Sequence, residues 1–68
     1  MITYYKLLDM LNRRGLKKID LQRALNISPT TMASLSKNRP VNLTLINKIC
    51  EFLDCQPGDI LEYIPDKK

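Results

Sequence analysis

The side chains best placed to do chemistry in this chain lie between residues 29 and 39. Thr30, Ala33, Ser34 and Lys37 recur at i, i+3, i+4 and i+7, so on a helix they share one face. Two carry hydroxyls that donate and accept hydrogen bonds, one is a bare methyl, and the last is a cation. Pro29 stands just ahead of them, and Asn38 and Arg39 follow. This set suits recognition better than catalysis. Small side chains let a helix backbone approach the floor of a groove about 12 Å wide, where hydroxyls meet base edges and the methyls of Thr30 and Ala33 meet a thymine methyl.

Most catalytic chemistries lack their parts. Histidine is absent, which removes imidazole acid–base catalysis and the common nitrogen-ligated zinc sites. Cys50 and Cys55 lie five apart with no third or fourth ligand of the metal-binding type, and two cysteines make no disulfide framework. Both are expected to be small, reduced residues packed against the core. No nucleophile–base pair can be assembled, so no enzyme activity, cofactor, metal or small-molecule ligand is expected.

At 68 residues the chain has room for one domain. No apolar run reaches the 18 or so residues of a membrane-spanning helix, and no secretory leader opens the chain; a cytoplasmic protein with no membrane partner is expected. The net charge of +4 is unevenly spread. Residues 1–40 carry eight lysines and arginines (Lys6, Arg13, Arg14, Lys17, Lys18, Arg23, Lys37, Arg39) against Asp9 and Asp20 only. Residues 41–68 carry three basic residues against five acidic ones, so the excess positive charge belongs to the first part. Such polarity suits a molecule with one face turned to a polyanion.

The elements that must position these residues read as helices. Thr3 can cap a first helix whose apolar stripe is Tyr4, Leu7, Leu8 and Leu11, ending near Arg14 before a left-handed Gly15. A short second helix spans about Ile19 to Leu25. Asn26-Ile27-Ser28 interrupts it: Asn tolerates the left-handed region, Ile27 plugs the core and Ser28 caps a third helix. Pro29 sits at that helix's first position, and the helix runs to about Lys37 before Asn38-Arg39-Pro40 ends it. Leu21, Leu25, Ile27, Met32 and Leu35 form the inward set of the pair. Asn42 caps a fourth helix with Ile46, Ile49, Cys50 and Leu53 inward, widened by Leu45 and Phe52. Pro57 and Asp59 open a short fifth helix through Ile60, Leu61 and Ile64. No stretch shows strand-like alternation, so the expected architecture is a compact, all-α, five-helix domain.

The segment "KIDLQRALNISPTTMASLSKNR" at residues 18–39 resembles the helix-turn-helix of the Cro/CI-type (XRE) repressor family. The resemblance extends over residues 4–64 and includes "LINKICEFLDCQPGDILEY", which is similar to the family's fourth and fifth helices; residues 65–68 form a short polar tail. It implies a lambda-repressor-like fold in which helices 2 and 3 form the helix-turn-helix. Two positions depart from the family pattern. Gln22 replaces the usual small alanine and bears on how closely the two helices pack, and Asn26 replaces the usual turn glycine. By position, the resemblance implies base contacts by Pro29, Thr30, Ala33 and Ser34. It implies sugar–phosphate contacts by Lys18, Lys37, Asn38 and Arg39.

The function so implied is a sequence-specific DNA-binding transcriptional regulator with double-stranded DNA as partner. Read as a full-length protein, with no minor-groove arm and no further domain, it resembles a minimal repressor acting by site occupancy. A homodimer at least on DNA is expected, because one recognition helix covers few base pairs. Phe52, Leu61, Tyr63 and Ile64 are its candidate interface, though each could equally belong to the core. The alternative is a helical protein-interaction module, antitoxin-like, that keeps the fold with weak DNA affinity.

Overall fold

A computed structural model describes residues Met1–Asp66. In chain order it contains β1 (Ile2–Thr3), α1 (Tyr5–Arg13), α2 (Lys18–Leu25), α3 (Pro29–Ser36), α4 (Leu43–Leu53), a single 3-10 turn (Pro57–Asp59) and β2 (Glu62–Tyr63). The α-helices therefore number four among the described residues, not five. The fifth fails for local reasons. Gly58 is a poor helix former, Pro65 disfavours helical backbone at Ile64, and so short a segment would be marginal as a helix. The residues after the turn instead run extended and pair antiparallel with the chain start, Ile2 opposite Tyr63 and Thr3 opposite Glu62. The all-α expectation thus holds for the helices and misses this strand pair.

All four helices end in the same way. Gly15, Asn26, Asn38 and Asp54 are left-handed, with φ of 71°, 54°, 57° and 52°. After each, the next N–H reaches back five residues to a helix carbonyl: Leu16 to Leu11 (2.8 Å), Ile27 to Gln22 (2.9 Å), Arg39 to Ser34 (2.9 Å) and Cys55 to Cys50 (3.0 Å). This Schellman closure satisfies carbonyls that the helix leaves unpaired and turns the chain sharply toward the next element. Glycine takes the left-handed conformation without strain, and Asn and Asp take it at modest cost.

The helix starts are more varied. The Ser28 hydroxyl accepts the Thr31 N–H (3.2 Å), and the Asn42 carboxamide accepts the Leu45 N–H (2.9 Å), both as expected. At α2 the Asp20 carboxylate accepts the Lys17 N–H (2.8 Å), and Asp59 does the same for Gln56 (2.9 Å). At α2 this is half of a capping box, because a lysine ammonium has no lone pair with which to complete the other half. Helix α1 corrects the expectation that Thr3 caps it. Tyr4 occupies the cap position with no side-chain cap bond. Thr3 lies in β1 with 1% of its surface exposed, and its hydroxyl has no hydrogen-bond partner.

The core joins Tyr4, Leu7 and Leu11 of the first segment, Leu21, Ile27, Met32 and Leu35 of the α2–α3 unit, and Leu45, Ile46, Ile49, Leu53 and Ile60 beyond it. Leu21 and Leu35 are wholly inaccessible. Leu25 and Cys50 are only partly buried at its edge. Phe52, expected to widen the inward stripe of α4, is 42% exposed, whereas Leu45 does face in. At the last turn of α4 it is Leu53, 1% exposed, that lies in the core, and Phe52 is left at its edge.

Candidate nucleic-acid interface

Helices α2 and α3 are joined by Asn26, Ile27 and Ser28, and each residue has a separate task. Asn26 (φ 54°, ψ 46°) reverses the chain. Ile27 is buried, anchoring the turn to the core. Ser28 starts α3 in an extended conformation (φ −67°, ψ 152°), and its hydroxyl also donates to the Thr31 hydroxyl (2.9 Å). The departure at Asn26 is thus accommodated without glycine. Gln22 is half-buried, and its carbonyl accepts the Ile27 N–H that closes α2.

With Met32 and Leu35 buried, the phase of α3 is set. Pro29, Thr30, Ala33 and Lys37 are exposed, and Ser34 is half-buried. The Ser34 hydroxyl donates to the Thr30 carbonyl one turn back (3.3 Å), a long bond that leaves its lone pairs free. Lys18 is exposed in the first turn of α2, where the helix dipole is positive.

The loop after α3 is held more tightly than its sequence suggests. The Asn38 carboxamide oxygen accepts the Tyr4 N–H (3.0 Å), and the Tyr4 hydroxyl donates to the Arg39 carbonyl (2.8 Å). Asn38 is therefore half-buried, with only its NH2 group uncommitted, while the Arg39 side chain is exposed. Tyr4 is the structural residue that sequence reading missed here. It has the correct period for the core, but nothing local shows that it also braces residues 34 and 35 positions away.

Charge completes the surface. Among the described residues the ion pairs are Arg13 with Asp9 (3.0 Å) and the N-terminal ammonium with Asp66 (3.2 Å). Neither involves Lys18, Lys37 or Arg39, so these cations are not neutralised by a described acidic partner. No group of three His, Cys, Asp or Glu placed to hold a metal occurs among the described residues. No described helix is long and apolar enough to cross a membrane.

A short helix braced by a second one across a left-handed turn, with a small exposed face and the exposed cations Lys37 and Arg39 at its C-terminal end, defines a helix-turn-helix DNA-binding domain. Residues 6–66 match the Cro/C1-type HTH DNA-binding domain, and the chain belongs to that family. It is 40% identical over 63 residues to an uncharacterized HTH-type transcriptional regulator, YozG, of Bacillus subtilis (strain 168), covering 85% of this chain and 71% of that protein. The crystal structure of the transcriptional regulator VanUg (Form II) superposes with a TM-score of 0.92 at 43% identity, covering 96% of this chain and 87% of that one.

Proposed function

We propose that this DNA-binding domain acts as a sequence-specific transcriptional repressor that works by occupying its operator. The observation that carries the reading is the outward face of α3. Thr30 and Ala33 lie exposed and small on a helix whose opposite face is buried, with Lys37 exposed at the end of the same face and none of Lys18, Lys37 and Arg39 in an ion pair among the described residues. In the proposed complex α3 enters the major groove. Pro29, Thr30, Ala33 and Ser34 meet base edges. Lys18, Lys37 and Arg39 hold phosphates, and Asn38 joins them through its NH2 group, its oxygen being engaged by Tyr4.

A homodimer on DNA extends this reading, with two recognition helices about one helical turn apart on one face of the duplex. Phe52 in the last turn of α4, with Tyr63 (64% exposed) and Ile64 beyond it, are the exposed apolar residues proposed for that pairing, while Leu61 is half-buried against the core.

Selection of binding sites from random duplexes tests the proposal. A recovered consensus with paired half-sites, bound with a steep salt dependence, is the expected result. Recovery of no consensus, with weak binding that barely responds to salt, would favour the helical protein-interaction module instead. Placing the selected site across a promoter separates repression from activation by the direction in which transcription changes.

A further inference from the structure

The two cysteines stand at the two positions that a Schellman closure brings together. Helix α4 ends at the left-handed Asp54, and the Cys55 N–H bonds the Cys50 carbonyl at 3.0 Å. In such a closure the side chains of the bonded residues commonly meet. The closure of α1 places Leu11 and Leu16 at the same positions, an ordinary apolar pair. At the end of α4 both positions are thiols, free and half-buried. They line one open groove of about 470 Å³ together with Leu43, Ile46 and Pro57, and no residue assigned to DNA lines it. A direct backbone bond between two residues keeps their Cα atoms within the roughly 4.4–6.8 Å that a disulfide spans.

We propose that Cys50 and Cys55 are a dithiol modification site, closing to an intramolecular disulfide by exchange with a low-molecular-weight disulfide such as oxidised glutathione. One cysteine, as thiolate, attacks the glutathione disulfide; its S–S bond breaks, and one glutathione leaves and takes up a proton. The second cysteine then loses its proton and attacks the mixed disulfide, forming the Cys50–Cys55 bond and expelling the second glutathione. Two protein thiols are oxidised and one disulfide is reduced to two thiols, so atoms and electrons balance. Burial, with the neighbouring Cys50 as a further cause, pushes the Cys55 thiol above its ordinary value. Cys55 therefore rests as a thiol at neutral pH until an external disulfide is supplied. The bond ties the end of α4 to the segment leading through Pro57–Asp59 into β2.

The test equilibrates the folded chain in glutathione redox buffers, quenches it in acid, alkylates remaining thiols and measures intact mass. The expected product is a monomer two hydrogens lighter, with no alkyl group and no glutathione, reverting with dithiothreitol. Its midpoint should lie at an oxidised-to-reduced ratio at least about tenfold lower for the folded chain than in guanidinium chloride, because the fold raises the effective concentration of one thiol at the other. Cys50→Ser and Cys55→Ser should each give only the mixed disulfide. Chains carrying one glutathione per cysteine, disulfide-linked dimers, or the same midpoint in denaturant would each overturn the proposal.

Discussion

The Tyr4 hydroxyl donates to the Arg39 carbonyl over 2.8 Å, so the residue just ahead of α1 holds the loop that follows α3. The same Tyr4 gives its backbone N–H to the Asn38 carboxamide (3.0 Å), while Asn38 is itself left-handed (φ 57°). Three features thus converge on one loop: a positive φ, a backbone donor satisfied by a side chain, and a carbonyl satisfied by a phenol.

These features make separable predictions. Tyr4→Phe removes one hydroxyl bond and should cost about 0.5–1.5 kcal/mol. Asn38→Gly relaxes the backbone but strands the Tyr4 N–H, costing about 1–3 kcal/mol. Asn38→Ala adds the left-handed strain of a side chain, about 1 kcal/mol more. Asn38→Asp keeps the acceptor and should be the mildest. Denaturant midpoints that fall from Asn38→Asp through Asn38→Gly to Asn38→Ala support the description; equal values for Asn38→Gly and Asn38→Ala would show that the strain is not held.

Thr3 leads to a gain of stability. Its hydroxyl is buried without a partner, and leaving such a group unpaired costs about 1–3 kcal/mol. Thr3→Val keeps the branched shape suited to a strand and removes the polar atom. The variant should melt higher than the parent, by about 1 kcal/mol at the midpoint. A lower melting temperature would mean that the hydroxyl has a partner, such as an ordered water.

Leu35→Ala tests the phase of the recognition helix. Leu35 has no accessible surface, and its truncation leaves a cavity directly beneath α3. The expected cost is about 2–5 kcal/mol, a large part of the stability of so small a domain. A thermal midpoint within a degree or two of the parent would place Leu35 elsewhere and shift Thr30 and Ala33 off the outward face.

What was legible in the sequence was local. Gly15, Asn26-Ile27-Ser28-Pro29 and Asn42 each act within a few residues, through φ, a cap bond or a missing N–H, so their types alone announce the turns they make. The outward set on α3 followed from the same periodicity that buried Met32 and Leu35. What was not legible depends on partners far along the chain. Two-residue strands carry no period, and β1 meets β2 across about sixty residues, so neither could be seen, nor could Thr3 be told from a cap. The bracing of Asn38 and Arg39 by Tyr4 escapes for the same reason. Pro57 and Asp59 do open a turn as their types suggest, yet it stops at Asp59, because the strand pair takes up the backbone beyond it.

The phosphate footprint is read from salt. If Lys18, Lys37 and Arg39 each neutralise one phosphate, each change to Ala should flatten the slope of log K against log salt by roughly 0.9. The loss should be alike on specific and random duplexes, since phosphates carry no sequence. Thr30→Val, by contrast, should lower affinity for the selected site and leave the slope and random-duplex binding unchanged. Three unaltered slopes would remove the footprint.

Assembly on DNA is the remaining prediction, and two exposed apolar residues, Phe52 in the last turn of α4 and Tyr63 in β2, make it specific. Single modules bury only about 600–1,000 Å² on DNA, little for a regulator that must find one site in a genome. Two chains should therefore occupy a palindromic site, and sedimentation should show a two-to-one complex even where the free chain is monomeric at micromolar concentration. Tyr63 is 64% exposed and Phe52 is 42% exposed, so Tyr63→Glu and Phe52→Glu should leave the fold within about 0.5 kcal/mol of the parent. At a true interface either change buries a charge against a second apolar surface and should abolish cooperative occupancy of the two half-sites, while binding to one half-site persists. If both variants saturate the palindrome with unchanged cooperativity, the pairing surface lies elsewhere. If the parent saturates it with one chain, and the selected sequence lacks two-fold symmetry, the protein reads DNA as a monomer.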